Sequence, residues 1–388
     1  MAKALDNKAL GGLKALDFST TIAGPYCARL LADLGADVVK IESLEGDVLR
    51  ARPPLRNGAS SAFGQLNAGK KSVTLDLKKP AAVDAVHRLA EQADIIVENF
   101  RPGVMKRLGL DYETLSAVNP RLVFCSMSGY GQTGPWAERP AYAPVIHAAS
   151  GYDLAHLAYQ QGRTRPDFCG VFHADVVSGV YAFSAITTAL YQREQTGRGQ
   201  HIDVSMLESM LSLTLNELQG AQFSVEKPTR PMFGPMETKD GYVMVAVVTE
   251  KAFRNFVTAA GRADFITDAR FAEYSRRRAH WDELMTELEN WSRTLTRDEC
   301  IAALETHDVA CSPYRTVAEA LADEQIAHRD ALVDVTDAGG TFKALNPPFR
   351  MSAAQTRVGP HAPSLGEHTR AVLKGAGLSH DEIKAIMG

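Results

Sequence analysis

Short apolar runs alternate with helical stretches through the first half of the chain. Near-continuous apolar runs predict strands at 13–18 (LKALDF), 37–42 (DVVKIE), 72–77 (SVTLDL), 94–98 (DIIVE) and 122–127 (LVFCSM). Strands that are apolar on both faces and separated by helices are typical of a parallel sheet with helices on both sides. The pattern therefore predicts an α/β fold built on a doubly wound parallel sheet.

The helices between these runs have their own start and stop signals. The first is predicted to begin at Gly24-Pro25 and to end at Gly35, because proline favours the first turn and glycine the end of a helix. A second is predicted over 80–93. Ligands of doubly wound sheets bind at the carboxyl ends of the strands. Glycine, proline and polar residues are concentrated at four such ends: 19–23, 41–43, 99–103 and 128–131.

The pattern changes in the second half of the chain. Three prolines interrupt it between residues 224 and 235. Beyond them a strand at 241–248 and helical segments predict a smaller α+β domain. The expected organisation is a large domain with the doubly wound sheet at 1–224, a small domain at 225–327, and a C-terminal segment at 328–388 that returns to the large domain.

Composition excludes several classes of protein. A net charge of −4 gives no reason to expect a nucleic-acid partner. The five cysteines form no CxxC pair and no metal-like cluster with the histidines, so no metal is predicted, and thiols of this kind are typical of the cytosol. No apolar run reaches the roughly 18 residues that span a bilayer, and the N-terminus lacks a signal-peptide core. We therefore expect a cytoplasmic protein without a membrane partner.

Asp175 is the main candidate for chemistry. It opens a long run of small and aliphatic residues that ends in the turn TGRGQ and the strand-like segment 201–205. One interpretation is a helix N-cap, a position that aspartate favours. The other is a nucleophile, because a carboxylate at a helix start is expected to stay ionised. His173 is read as a loop residue.

The fingerprints of common cofactors are missing. Neither GxGxxG after the first strand nor GxxxxGK[ST] occurs, so hydride and phosphoryl transfer are poorly supported and no nicotinamide or flavin is predicted. Cations do lie beside predicted strand ends, namely Lys70, Lys71 and Arg101. They could contact phosphates, although solvated loop charges are the more frequent case.

Seven sequence blocks together resemble a known family. They are LDFSTTIAGPYCARLLADLGADVVKIE, LNAGKKSVTLDLKKP, ADIIVENFRPGVMKRLGLDYETL, NPRLVFCSMSGYGQTGP, HADVVSGVYAFSAITTALYQREQTGRGQHIDVSM, KDGYVMVAV and SLGEHTRAVL. In this order they resemble the family III CoA-transferases, whose relatives include the α-methylacyl-CoA racemases. The resemblance covers nearly the whole chain.

The resemblance implies a fold, partners and a mechanism. The fold is a Rossmann-like domain plus a smaller domain in an interlocked homodimer, with coenzyme A bound as the acyl-CoA substrate. Asp175 is implied to attack the thioester, forming an anhydride and then an aspartyl-CoA thioester that a free carboxylic acid resolves. The implied CoA-binding residues are Ile22, Ala23, Leu75, Lys78, Asn99, Phe100, Arg101, Arg107, Arg139 and Tyr142.

Three departures from the family refine this expectation. Tyr142 stands where racemases have a histidine, and a phenol, with an ordinary pKa of about 10, is a poor partner for α-proton abstraction. Ile22 replaces a glutamine of the formyl-CoA:oxalate branch. The stretch 232–236 has one glycine where that branch has a glycine-rich lid. We therefore expect a transferase for acids larger or more apolar than oxalate.

Two alternatives stay open from the sequence. One is an α-methylacyl-CoA epimerase on the same fold, and the other is a CoA-binding protein without catalysis. Arg163, Arg165, Arg230 and Lys239 are candidates for meeting a second substrate carboxylate, although surface charges are the more frequent case for each.

Overall fold

The computed structural model describes residues 7–160, 162–223 and 233–387. These residues form two compact units. The first comprises the chain up to Ala155, Arg165–Gln219 and the chain from Ala327 onward, and the second comprises His156–Thr164 and Gly220–Ile326. The division into domains at 224/225 and 327/328 stays a prediction, and residues 224–232, at the first of these boundaries, lie outside the described residues. The predicted homodimer stays a prediction as well.

The strands lie in four sheets. In chain order they are β1 (Lys14–Asp17), β2 (Asp37–Glu42), β3 (Leu55–Arg56), β4 (Ala59–Ser60), β5 (Lys71–Thr74), β6 (Ile95–Glu98), β7 (Val123–Ser128), β8 (His201–Ser205), β9 (Phe233–Thr238), β10 (Gly241–Ala246), β11 (Cys311–Pro313), β12 (Leu332–Asp337) and β13 (Gly340–Leu345).

The helices have the following bounds. They are α1 (Ala23–Asp33), α2 (Ser61–Asn67), α3 (Pro80–Ala90), α4 (Val104–Arg107), α5 (Tyr112–Val118), α6 (Ala143–Ala149), α7 (Tyr152–Leu157), α8 (His173–Thr196), α9 (Met206–Leu211), α10 (Leu215–Gly220), α11 (Glu250–Ala259), α12 (Tyr274–Ala279), α13 (Trp281–Ser292), α14 (Arg297–Thr306), α15 (Val317–Leu321), α16 (Glu324–His328), α17 (Thr369–Gly375) and α18 (His380–Met387). None of the described helices is long and apolar enough to cross a membrane.

The central sheet confirms the predicted α/β class. Its six strands run in the order β5-β2-β1-β6-β7-β8, and every neighbouring pair is parallel. Counted by their succession along the chain, these strands lie in the order 3-2-1-4-5-6, which is that of dinucleotide-binding α/β folds. The order reverses between β1 and β6, and such a reversal opens a crevice beyond the carboxyl ends of the two strands.

Alternating residues of the four inner strands, β1, β2, β6 and β7, contribute to two core layers. One layer packs α1 and α8 on the sheet through residues such as Cys27, Val97 and Ile186. The other packs α3, α17 and α18 on the opposite face through residues such as Leu16 and Leu373. Because these inner strands have apolar side chains on both faces, they form continuous apolar runs in the sequence.

Several predicted ends differ from the structure by a few residues. The strand predicted at 72–77 is β5 at Lys71–Thr74, because the chain turns where the Lys79 N–H bonds Asp76 O. The helix predicted over 80–93 ends at Ala90, and the strand predicted at 241–248 ends at Ala246. The first helix begins one residue earlier than predicted, at Ala23.

The second unit has its own sheet and core. Strands β9, β10 and β11 form an antiparallel sheet in the order β11-β10-β9. Helices α11, α13 and α14 contribute apolar side chains to the core beside it, among them Phe256, Leu288 and Leu304. Of the stretch 232–236 that was compared with a glycine-rich lid, Met232 lies outside the described residues and the rest begins β9.

The C-terminal part of the chain packs within the first unit. Strands β12 and β13 form a hairpin. Backbone and side-chain hydrogen bonds then join the start of α17 to β5: the His368 N–H donates to Ser72 O at 2.9 Å, and the Thr74 N–H donates to Thr369 Oγ1 at 3.0 Å. These contacts attach α17 at the edge strand of the central sheet.

Candidate active site

The side chain of Asn99 links the two loops that border the crevice between β1 and β6. The Thr20 N–H donates to Asn99 Oδ1 at 2.8 Å, and Asn99 Nδ2 donates to Thr20 O at 2.8 Å. Thr20 follows β1 and Asn99 follows β6. The paired bonds tie the two loops together at the point where the strand order reverses, which is where a doubly wound sheet binds its ligand.

Buried ions fix the loop that follows β1. Lys40 Nζ donates to Ser19 O at 2.7 Å and lies 3.1 Å from Asp47 Oδ2, and both charged side chains are fully buried. Asp47 also accepts the Thr21 N–H at 3.2 Å. Thr21 has φ 70°, a left-handed value that is unusual for a β-branched residue. The network holds this strained loop in one conformation.

The strained loop delivers the chain to the start of α1. Ile22 is the N-cap of α1 and makes no side-chain cap, so the first N–H groups of the helix need acceptors from elsewhere. The carboxylate of Asp175, which belongs to α8, is near enough to the Ala23 N–H for this donor to lower its pKa. The implied site residues Ile22, Ala23 and Asp175 are therefore brought together beside Asn99.

Asp175 is inside α8 rather than at its cap. The N-cap is Phe172, and Asp175 is the third helical residue, so the N-cap interpretation is wrong. Burial raises the pKa of Asp175 to about 6, and the hydrogen bond from the Ala23 N–H opposes that rise. The expectation that the helix start alone keeps the carboxylate fully ionised is thus modified, because desolvation outweighs the favourable hydrogen bond.

A glycine allows α1 and α8 to approach closely. A Cβ on Gly179 would lie 2.7 Å from Ala23 O and 3.3 Å from Tyr26 Cδ1. Gly179 lies one turn beyond Asp175 on α8, so the bare position lets the carboxylate reach the start of α1.

The remaining implied CoA contacts differ in their surroundings. Leu75 is 1% exposed, and its side chain lies in the core layer on the face of the sheet opposite α1 and α8. Asn99 and Phe100 are half-buried. Lys78, Arg101 and Arg107 are exposed.

The segment 136–143 carries the last two implied contacts. The Arg139 guanidinium stacks on Trp136, with 4.3 Å between its Cζ and the ring centroid. Tyr142 is 69% exposed and is the N-cap of α6. Both side chains are accessible, although no hydrogen bond joins either of them to Asp175 among the described residues.

The lysines of the 70–71 pair have structural partners. Lys70 is fully buried and contacts Asp17 Oδ2 at 2.8 Å, Pro25 O at 2.9 Å and Asn67 Oδ1 at 2.9 Å. Burial lowers the pKa of Lys70 to about 8, against the attraction of Asp17. Lys70 is therefore neither a phosphate contact nor a solvated charge, and both interpretations are wrong. Lys71 pairs with Asp37 at the surface.

The structure assembles two histidines and a cysteine that the sequence kept apart. His147, Cys169 and His173 offer ligand atoms that lie within 4.8 Å of one another, so the expectation of no such cluster is wrong. His173 is the first residue of α8 rather than a loop residue, and its buried Nδ1 has no hydrogen-bond partner. Cys169 and His173 are four residues apart, whereas His147 belongs to α6, so spacing in the sequence does not show that the three side chains meet.

The lone pair that a metal would need on His147 is already in use. His147 Nε2 accepts the Ala174 N–H at 3.2 Å. If the ring bound a metal through Nδ1 instead, a neutral imidazole would carry its proton on Nε2 and could not accept that bond. The Cys169 thiol in turn donates to Val171 O at 3.3 Å. A structural role through hydrogen bonds therefore suits these side chains better than ligation of a metal.

Comparison with known proteins relates the chain to one family over most of its length. A model described as CoA-transferase family III matches residues 10–369. A succinate–glutarate CoA-transferase of Agrobacterium fabrum is 33% identical over 381 residues and covers 94% of each chain. The beta subunit of a succinyl-CoA–L-malate CoA-transferase of Chloroflexus aurantiacus is also 33% identical, over 94% of this chain and 93% of its own.

A solved structure shows the same fold. A CAIB/BAIF family protein from Brucella suis superposes with a TM-score of 0.83 at 34% identity, covering 95% of this chain and 100% of the other. The similarity extends across both units.

Proposed function

The chain belongs to CoA-transferase family III, and from that premise we propose that this enzyme moves CoA from an acyl-CoA donor to a free carboxylic acid through covalent adducts of Asp175. Ionised carboxylates form such covalent intermediates when a site excludes water and orients them. Coenzyme A then takes part as the substrate thioester and not as a resident cofactor.

The first half of the reaction loads CoA onto the enzyme. A carboxylate oxygen of Asp175 attacks the thioester carbonyl carbon, the C–S bond breaks, and CoA leaves as the thiolate. The product is a mixed anhydride between Asp175 and the acyl group. The thiolate then attacks Cγ of Asp175, and the donor acid leaves as a carboxylate that carries one oxygen from Asp175. An aspartyl-CoA thioester remains, and no proton is exchanged.

The second half repeats these steps with the acceptor acid. Its carboxylate attacks Cγ of the aspartyl thioester, CoA leaves as the thiolate, and a second anhydride forms. The thiolate attacks the acceptor carbonyl, giving the new acyl-CoA and the free carboxylate of Asp175. One oxygen of the acceptor stays on Asp175. Charge is conserved in every step.

The observation that carries the proposal is the close approach of α8 to the start of α1, where a Cβ on Gly179, one turn beyond Asp175, would lie 2.7 Å from Ala23 O. The Asp175 carboxylate is half-buried there, and the backbone N–H of Ala23, at a helix N-terminus, lowers its pKa. Donors of this kind stabilise oxyanions that develop during acyl transfer. We propose that the N–H groups of Ile22 and Ala23 serve the tetrahedral intermediates in this way.

We also propose how CoA is bound. Lys78, Arg101 and Arg107 are exposed cations that suit phosphate groups. Phe100 and the Arg139–Trp136 pair offer flat surfaces for the adenine ring or the pantetheine arm, and Asn99 and Tyr142 offer polar contacts. Because the Leu75 side chain is in the core, it would contribute through its backbone.

The nucleophile is tested by trapping. Wild type incubated with an acyl-CoA and then with hydroxylamine should carry a hydroxamate on the peptide that contains Asp175, read by mass spectrometry. Asp175→Ala should lose this mark and lower the transfer rate by about a thousandfold or more, while it still binds CoA. Asp84→Ala, an exposed residue of α3, is the control. Normal transfer by Asp175→Ala would overturn the proposal.

Oxygen labelling tests the anhydride steps separately. With an ¹⁸O-labelled acceptor acid, one label should pass to Asp175 and appear in the donor acid released in the next turnover. A direct exchange would pass through an anhydride of the two acids themselves, so it would label the donor acid in the same turnover and leave Asp175 unlabelled. This outcome would exclude the covalent route through Asp175 even if Asp175 proved essential.

The alternative function as an epimerase is distinguished from CoA transfer by the product that forms. Solvent deuterium at the α-carbon of a 2-methylacyl-CoA, without any acceptor acid, would indicate epimerisation. We expect none, because the exposed Tyr142, the N-cap of α6, stands at the position where the epimerases carry a histidine.

The substrates are proposed to be aliphatic dicarboxylic acids of four or five carbons, because two similar proteins are named for succinate, glutarate and malate. Oxalate as the best acceptor in a screen of acids would contradict this.

A further inference from the structure

The first turn of α8 lacks a cap from its own sequence. Phe172 is the N-cap and has no side-chain oxygen to offer. The first N–H groups of a helix have no acceptors within the helix, and burying them without partners costs free energy. Ala174 is fully buried and its N–H needs an acceptor from another element.

His147 supplies this acceptor from α6. Its Nε2 accepts the Ala174 N–H at 3.2 Å. The ring is 1% exposed, and Ile146 of the same helix shares a core cluster with Ala174 and with Met210 of α9. Because Nε2 accepts, the imidazole is neutral with its proton on Nδ1. Burial lowers the pKa of His147, which favours this neutral form.

We propose that His147 is a positioning residue for the nucleophile: its Nε2 caps the first turn of α8 through the Ala174 N–H and so holds Asp175, the next residue, against the Ala23 N–H. This inference rests on the proposed function. The two contacts involve consecutive residues: the hydrogen bond from His147 fixes the backbone of Ala174, and the Ala23 N–H lowers the pKa of the Asp175 carboxylate. Loosening the first would let the carboxylate leave the donor that orients it.

Two kinds of substitution separate an acceptor from a packing role. His147→Gln keeps an oxygen near the position of Nε2, whereas His147→Leu and His147→Met fill the space without an acceptor. We expect kcat to fall about tenfold in both apolar variants, in line with the loss of one oriented hydrogen bond. KM for the acyl-CoA should be unchanged. His147→Gln should stay within about threefold of wild type on the same reasoning.

Hydrogen exchange gives a second measurement that does not depend on turnover. Mass spectrometry of a peptide covering residues 173–180 should show faster exchange in His147→Leu and His147→Met but not in His147→Gln. His87→Leu, in α3 on the other face of the sheet, is the matched control and should change neither exchange nor kcat. Leucine and methionine differ in shape, so if one of the two apolar variants fails to fold, the other still tests the proposal.

The outcomes distinguish this inference from the proposed function. Wild-type kcat in the apolar variants, with or without faster exchange, would overturn the positioning role. An equal loss in the glutamine and apolar variants would also overturn it, because an acceptor alone would then be insufficient. If instead trapping finds no adduct on Asp175, the proposed function fails, and the exchange pattern of α8 still reports whether His147 caps the helix.

Discussion

The backbone N–H of Ala23, the first residue of α1, lowers the pKa of the carboxylate of Asp175, the third residue of α8. The carboxylate of Asp175 therefore lies near the N-terminal ends of both helices, where negative charge is favoured. Burial nevertheless dominates and raises the pKa of the carboxylate to about 6. The proposed nucleophile thus lies in a poorly solvated position beside a backbone donor.

This raised pKa predicts an acid limit to adduct formation. Only the ionised Asp175 can attack a thioester, so the single-turnover rate of adduct formation should fall about tenfold per pH unit below about pH 6. Omitting the acceptor acid removes its own ionisation from the profile. Circular dichroism at pH 5 controls for unfolding. A rate that is flat from pH 7.5 to pH 5 would contradict the assignment of this pKa to the nucleophile.

The same shift predicts that Asp175 lowers stability. An acid whose folded pKa is raised binds more protons when folded, so stability falls as pH rises from about 4 to about 6 and stays lower above. Asp175→Asn should therefore stabilise the protein by about 1–3 kcal/mol at pH 8, from a shift of roughly two pKa units. Near pH 3 the variant and wild type should agree.

Urea unfolding at the two pH values measures this difference. Asp84→Asn, at the surface of α3, is the control and should give the same midpoint as wild type at both. A destabilised Asp175→Asn at pH 8 would show that the carboxylate makes stronger stabilising contacts than the hydrogen bond from Ala23.

The fold was largely predictable because its signals are local. The four inner strands of the central sheet are buried on both faces, so apolar runs such as 37–42 mark them directly, and the parallel arrangement follows from the helices between the strands. The ends were less predictable. At β5, for example, the strand stops where a backbone hydrogen bond between Lys79 and Asp76 begins a turn.

The site was predictable only in part, because the fold determines which side chains come into contact. Asp175 was identified from its neighbours in the sequence, yet its place inside α8 depends on where the helix begins. Lys70 looks like a surface charge until Asp17 is brought to it by the sheet. His147 and Ala174 belong to separate elements, and no sequence signal joins them.

Removing Asp47 should damage the loop before α1. Asp47 and Lys40 are both fully buried, and the loss of one partner leaves an unpaired buried charge, so Asp47→Ala should cost about 3–5 kcal/mol. Asp37→Ala breaks the exposed pair with Lys71 and should cost less than about 1 kcal/mol. Urea unfolding of the two variants measures the contrast. Equal losses would mean that Lys40 finds another partner.

Closing the gap between α1 and α8 should separate the nucleophile from its donor. In Gly179→Ala the new Cβ would lie 2.7 Å from Ala23 O, so the helices must move apart, at a cost of about 1–3 kcal/mol. We expect kcat to fall about tenfold or more, because displacements near 1 Å disturb attack geometry. Gly375→Ala in α17, where nothing lies within 4 Å of the new Cβ, should leave kcat unchanged. Wild-type kcat in Gly179→Ala would show that the contact between Ala23 and Asp175 tolerates this displacement and does not limit the rate.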